Sequence, residues 1–159
     1  MTAYWTSAPV SGSVTIASAN IEYVYGLIVP TPVVAGHIVL DVAVADTTPT
    51  DLYSVGIFNS SGSLVAHILP QAFTMMGVQT PIAFNEGTVT FSPGKYYIGL
   101  TGEATALKLS AIVATLIPLA ATSEGATTGG NQITSFSPPA DSWIATSSTN
   151  NEPVVGLAP

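Results

Sequence analysis

Apolar and polar positions alternate in short runs along this chain, and each run is closed by Gly, Pro, Asn or Ser. The clearest run covers 36–45, where Ile38, Leu40, Val42 and Val44 fall on one side and His37, Asp41 and Ala43 on the other. A period of two puts alternate side chains on opposite faces of an extended strand, so this run predicts a sheet with one buried face. Comparable runs at 10–17, 21–29, 51–58, 64–69, 81–84, 88–91, 95–100 and 107–116 are rich in β-branched residues and predict further strands. The turn 59–63 carries Gly62, and the breaks at Asn85-Glu-Gly87 and Ser92-Pro-Gly94 carry glycines too, as hairpin connections require. The segment 70–79 is looser. About eight or nine strands at this spacing predict an all-β antiparallel sandwich of the jelly-roll type with little or no helix.

The pattern changes after 117. Residues 122–131 are mostly Gly, Thr and Ser with one Glu and are expected to form an exposed loop. A short strand is expected at 133–136, an irregular crossing at 138–143, polar loop at 147–151 and a returning strand at 153–157. The length of 159 residues suits one domain. The expectation is a single jelly-roll domain over 1–159, with its core at about 10–117 and an extended, loop-rich segment over 118–159.

Composition narrows the partners. Charged residues make up only 7% of the chain, against roughly 25% in ordinary soluble domains, so Ser, Thr, Asn, Gly and backbone must cover the surface. Such a surface suits a protein that spends its working life against other subunits. Lys95 and Lys108 face nine acidic residues, with no arginine, for a net charge of -7. Two lysines cannot neutralise a phosphate backbone, so nucleic acid is excluded as a partner, and anionic membrane surfaces are disfavoured on the same ground. There is no cysteine, hence no disulfide frame and no thiolate chemistry. The start has no basic and apolar signal-peptide pattern, and the most apolar run, 107–121, is interrupted by Lys108 and Pro118 and falls short of the ~20 residues a spanning helix needs. No membrane insertion is expected.

Catalytic groups are thinly spread. His37 and His67 lie in or beside predicted strands with no Gly-x-Ser-x-Gly elbow to present a nucleophile, and solvent-face or interface roles are expected of them. Asp41, Asp46 and Asp51 cluster around one strand end, but their spacing of five is unlike a calcium loop, so Asp46 and Asp51 are read as turn residues bonding local backbone. No Walker loop, dinucleotide fingerprint or zinc spacing is present. No enzyme activity, catalytic residue, metal or cofactor is expected. Tyr23, Tyr25 and Tyr53 hold alternate strand positions and are expected to pack on a sheet face. Trp5 and Trp143 lie in segments read as irregular and are the candidate interface or glycan contacts.

Four stretches carry a family likeness: Tyr23-Val-Tyr-Gly-Leu-Ile-Val-Pro30, the run 36–46, Asp51-Leu-Tyr-Ser-Val-Gly-Ile-Phe-Asn-Ser-Ser-Gly-Ser-Leu-Val-Ala66, and Gly87-Thr-Val-Thr-Phe-Ser-Pro-Gly-Lys-Tyr-Tyr-Ile-Gly-Leu-Thr101. Together they resemble a jelly-roll β-sandwich domain common in bacteriophage virion proteins: decoration proteins, head fibres and tail appendages. The family pattern is a Leu-Tyr-x-Val-Gly-Ile-Tyr hairpin followed by Pro-Gly-x-Tyr-Tyr, and Phe58 stands here where a Tyr is usual. The resemblance covers roughly 20–110 and concerns scaffold residues only. It implies a structural virion protein, often a trimer, at the virion surface after assembly in the host cytoplasm. Without a coiled coil or shaft repeat, a capsid decoration or cement protein bound to the major capsid protein or another virion protein is the first expectation. A receptor- or carbohydrate-binding module that meets a host-surface glycan is the second.

Overall fold

The computed structural model describes residues 4–5, 12–15, 19, 22–113, 123–126, 151–153 and 155–159. They hold β1 (Tyr4–Trp5), β2 (Gly12–Thr15), β3 (Glu22–Val29), β4 (Val33–Ala35), β5 (His37–Val44), β6 (Tyr53–Asn59), β7 (Leu64–His67) and β8 (Gly77–Val78). The remainder are β9 (Ile82–Ala83), β10 (Val89–Phe91), β11 (Gly94–Gly102), β12 (Lys108–Val113), β13 (Ser123–Ala126), β14 (Asn151–Pro153) and β15 (Val155–Ala158). No helix occurs among the described residues. The chain is all-β, and its strands pair antiparallel.

Two main sheets form the body. One runs β1-β15-β5-β12-β14, with β2 also on β12 and β8 and β9 also on β5; the other runs β13-β3-β11-β6-β7. A two-stranded ribbon, β10 with β4, completes the set. The centre of the second sheet is in full register: Ile98 lies between Tyr25 and Ile57, and Leu100 between Tyr23 and Val55. Their side chains point at Ile38, Leu40 and Val42 of β5, Leu109 of β12 and Val155 and Leu157 of β15, and one core cluster draws on both sheets. Burying a Val, Leu or Ile side chain contributes about 1.5–3 kcal/mol, so this face-to-face packing is what holds the sheets together.

Both faces of β6 up to Phe58 and of β11 from Tyr97 onward are withdrawn from water. Tyr53, Val55 and Ile57 enter the main core, while Phe58 meets Tyr97 directly across the strands and with Val24 forms a second, smaller cluster. The Lys95 ammonium lies 4.7 Å over the Tyr97 ring, a cation–π contact on the same strand.

The expected strands at 10–17, 21–29, 36–45, 51–58, 64–69, 81–84, 88–91, 95–100, 107–116 and 153–157 all overlap observed ones. Four differences stand out. The described residues hold fifteen strands where eight or nine were expected, the additional ones including β1, β4 and β8, pieces of two or three residues held by backbone pairing, and β13, β14 and β15 from the last part of the chain. Residues 123–126 are strand β13 on β3, where an exposed loop was expected. Trp5 belongs to β1, paired with Gly156, and so lies in a strand where an irregular segment was expected. Val44 continues the buried alternation in sequence but is 41% exposed, at the point where the β5–β12 register shifts between Lys108 and Leu109. The expected elements at 133–136 and 138–143, Trp143 included, lie outside the described residues.

Candidate functional site

Three connections meet beyond the end of β5 and the start of β6: the turn 45–52, the turn after β11 at Glu103, and the long link 68–81. Asp46 organises them. Its Oδ1 accepts from the Thr48 amide at 2.9 Å, the local turn bond expected from sequence, and its Oδ2 accepts from the Tyr53 hydroxyl at 2.5 Å. The Tyr53 oxygen in turn accepts from the Leu107 amide at 3.4 Å. Asp46 and Tyr53 are both buried. Accepting from Tyr53 and then from Thr48 holds the Asp46 carboxyl below its ordinary range. Burial and the same Asp46 bond push the Tyr53 hydroxyl upward, so the pair works as neutral phenol and carboxylate.

Asp51 lies beside this pair. Desolvation first, then the charge of Asp46, raise its carboxyl, with Glu103 adding to the repulsion. Glu103 is bound to the same turn: its amide donates to the Leu52 carbonyl at 2.9 Å and its Oε2 accepts from the Leu52 amide at 3.2 Å. Three carboxylates therefore share one end of the body, and none of them forms an ion pair with a described residue.

The link 68–81 is fastened along its length. Tyr53 and Gln71 exchange backbone bonds of 2.9 and 3.0 Å, the Asp46 amide donates to the Phe73 carbonyl at 3.0 Å, and the Gln79 amide donates to the Leu40 carbonyl at 2.9 Å. Ile68 and Phe73 are buried in the core. At the tip, the Gln79 side-chain amide donates to both the Met75 and Gly77 carbonyls at 2.9 Å, and Gly77 takes a φ of 93° that a residue with a Cβ would resist. From this tethered segment Leu69, Met75, Met76 and Val78 project into solvent, 60%, 71%, 68% and 63% exposed. Val78 is the register partner of Asp41.

The histidines serve the frame. His37 Nδ1 is 2.8 Å from the Pro159 carbonyl oxygen at the start of β5. His67 ends β7, the edge of its sheet, where Glu86 accepts from its amide at 2.8 Å and contacts its ring Nδ1 at 2.5 Å, while the Asn85 amide donates to the His67 carbonyl at 2.8 Å. Tyr25 and Tyr53 are core residues as expected, and Tyr23 packs against them. Asp41, Asp46 and Asp51 are not drawn into one group; among the described residues no three His, Asp or Glu side chains gather as metal ligands would. Trp5 pairs through β1 and Trp143 lies outside the described residues, so the two tryptophans are not brought together here. The exposed apolar tip at 75–78 is the feature that sequence reading passed over. Its signal was the Met75-Met76 pair inside a segment with no strand alternation.

No helix of the described residues is long and apolar enough to cross a membrane. No protein-family model, curated protein or solved structure matches this chain.

Proposed function

We propose that this chain is a structural accessory protein of a bacteriophage particle, a decoration or cement protein that binds the assembled capsid shell and stabilises it. One observation carries the reading: the stretches that resemble virion jelly rolls come together as a single packing unit. The Leu52-Tyr53-Ser-Val-Gly-Ile-Phe58 and Pro93-Gly-Lys-Tyr-Tyr97 motifs are adjacent strands of one sheet, with Tyr97 directly opposite Phe58, Gly99 opposite Gly56 and Thr101 opposite Ser54. Phe58 fills the place of the usual Tyr as a fully buried residue, where a hydroxyl would have to find a partner. The likeness thus lies in residues that make the sandwich, and the jelly-roll assignment belongs to the same proposal. The sparse charge agrees with it, because a surface made of Ser, Thr and Gly loses little on being covered by a neighbour.

A shell-binding protein shifts the shell equilibrium by mass action, since it binds the assembled state and not its free subunits. The test is light scattering of the purified protein followed by cosedimentation with expanded phage shells stripped of accessory proteins. Trimers that pellet with shells to a fixed stoichiometry support the proposal. A species that stays in the supernatant at every concentration contradicts it, and binding on a glycan array would then favour a receptor- or carbohydrate-binding module.

A further inference from the structure

We infer that the segment 69–78 is the contact by which this protein seats on a partner protein, and that the partner surface is an apolar pocket bordered by Lys and Arg side chains. The inference rests on the proposed virion role, which makes the shell subunit the partner, and it names the face used.

Four large apolar side chains, Leu69, Met75, Met76 and Val78, are more than half exposed within ten residues, whereas, Val34 and Val44 apart, the other large apolar side chains whose burial is described are buried or half-buried. Slack does not explain that exposure. The Tyr53–Gln71 exchange, the bonds to Phe73 and Leu40 and the double bond from the Gln79 amide fix the segment, so little ordering entropy is left to lose on docking. Methionine adapts its unbranched side chain to an irregular pocket, and two of them hold the tip.

The charges around the segment select the partner. Asp41 is in register with Val78, Asp46 is bonded through its backbone to Phe73, and Asp51 and Glu103 crowd beside Asp46. Lys108 is in register with Val44 near this end, whereas Lys95 sits at the start of β11, away from the Glu103 turn that follows that strand. A second copy meeting the segment face to face would bring two sets of these carboxylates together, in a protein of net charge -7. A Lys- and Arg-bordered pocket instead pairs with Asp41, Asp51 and Glu103 and steers encounter, while the buried Asp46 stays bonded to Tyr53 and Thr48.

The experiment measures shell binding by cosedimentation with stripped, expanded phage shells for four proteins: wild type, M75S/M76S, D51N and, as a control, V34S on β4. All four substituted residues are exposed or half-buried, and thermal unfolding verifies that each variant is folded. The double methionine variant is expected to lose at least about tenfold in affinity with its oligomeric mass unchanged, D51N to lose a smaller factor, and V34S to bind as wild type. Wild-type binding is expected to weaken as NaCl is raised from about 0.05 to about 0.5 M. M75S/M76S binding as well as wild type would overturn the inference while leaving the decoration role standing. A change of oligomeric mass in that variant would overturn it in favour of a contact between copies, and salt-independent binding would overturn the charged border. Wild type that does not pellet would remove the virion role itself, and this inference with it.

Discussion

At the scale of single residues, the Asp46–Tyr53 pair is a buried polar contact that ties the 45–52 turn to β6. Tyr53→Phe removes a hydroxyl that gives a bond to Asp46 and takes one from Leu107, leaving a buried carboxylate short of a partner. The expected cost is roughly 1–3 kcal/mol, read as a lower midpoint in chemical denaturation. The two aspartates respond to pH in opposite senses. Asp46 has a lowered folded pKa, so the stability it gives is complete above the ordinary carboxylate value and fades as pH falls through the lower folded value. Asp51 has a raised one, so its contribution is present below the ordinary value and lost as pH rises through the folded value. Asp46→Asn should therefore destabilise at neutral pH, and Asp51→Asn should stabilise there. Both differences should shrink toward acid pH, which melting temperatures from about pH 3 to about pH 7 will show. Gly62, at φ 83° in the turn closing β6 and β7, is a position where Ala should cost about 1–2 kcal/mol by the same measurement.

At the scale of elements, the long alternating runs were legible because burial and backbone agree there. Ile38, Leu40 and Val42 are buried on one face of β5, and Val55 and Ile57 on one face of β6, as a period of two requires. The short strands were not legible. β8 is two residues, too few to show any period, and exists because Gly77 and Val78 pair with Val42 and Asp41 some 35 positions earlier. β13 is Ser-Glu-Gly-Ala, a sequence with loop composition, placed by pairing with Tyr25, Val24, Tyr23 and Glu22. Half of the Asp46 chemistry was also visible, since a turn aspartate announces its bond to Thr48, whereas its bond to Tyr53 depends on how the 45–52 turn returns the chain. The edge strand β7 illustrates a further long-range device. Its last residue, His67, has both backbone groups taken by the Asn85-Glu86 turn, which shields a sheet edge that could otherwise pair with another chain. Glu86→Ala should raise the hydrogen-exchange rate of the His67 amide by at least about tenfold while leaving Ile57 in β6 protected; equal rates in both proteins would show that the turn is not the cap.

At the scale of the whole molecule, the core lies between two antiparallel sheets, and truncating it at Ile57→Ala should cost about 2–5 kcal/mol in a denaturant titration. What distinguishes the described exterior is a tethered apolar tip at one end, in a chain of few charges and a net charge of -7. Sequence reading could count the charges but could not see that Met75, Met76 and Val78 face outward together, because that depends on Gln79 folding the tip and on β8 joining β5. The proposed decoration role accounts for both properties: a weakly charged surface that neighbours can cover, and an ordered apolar prong that the proposal assigns to the shell. The most direct measurement is the thermal disruption of stripped, expanded phage shells, followed by light scattering, with and without saturating amounts of this protein. The account predicts that saturated shells come apart at a higher temperature, with the rise growing with free protein concentration as mass action requires. Shells that come apart at the same temperature whatever the concentration would contradict it.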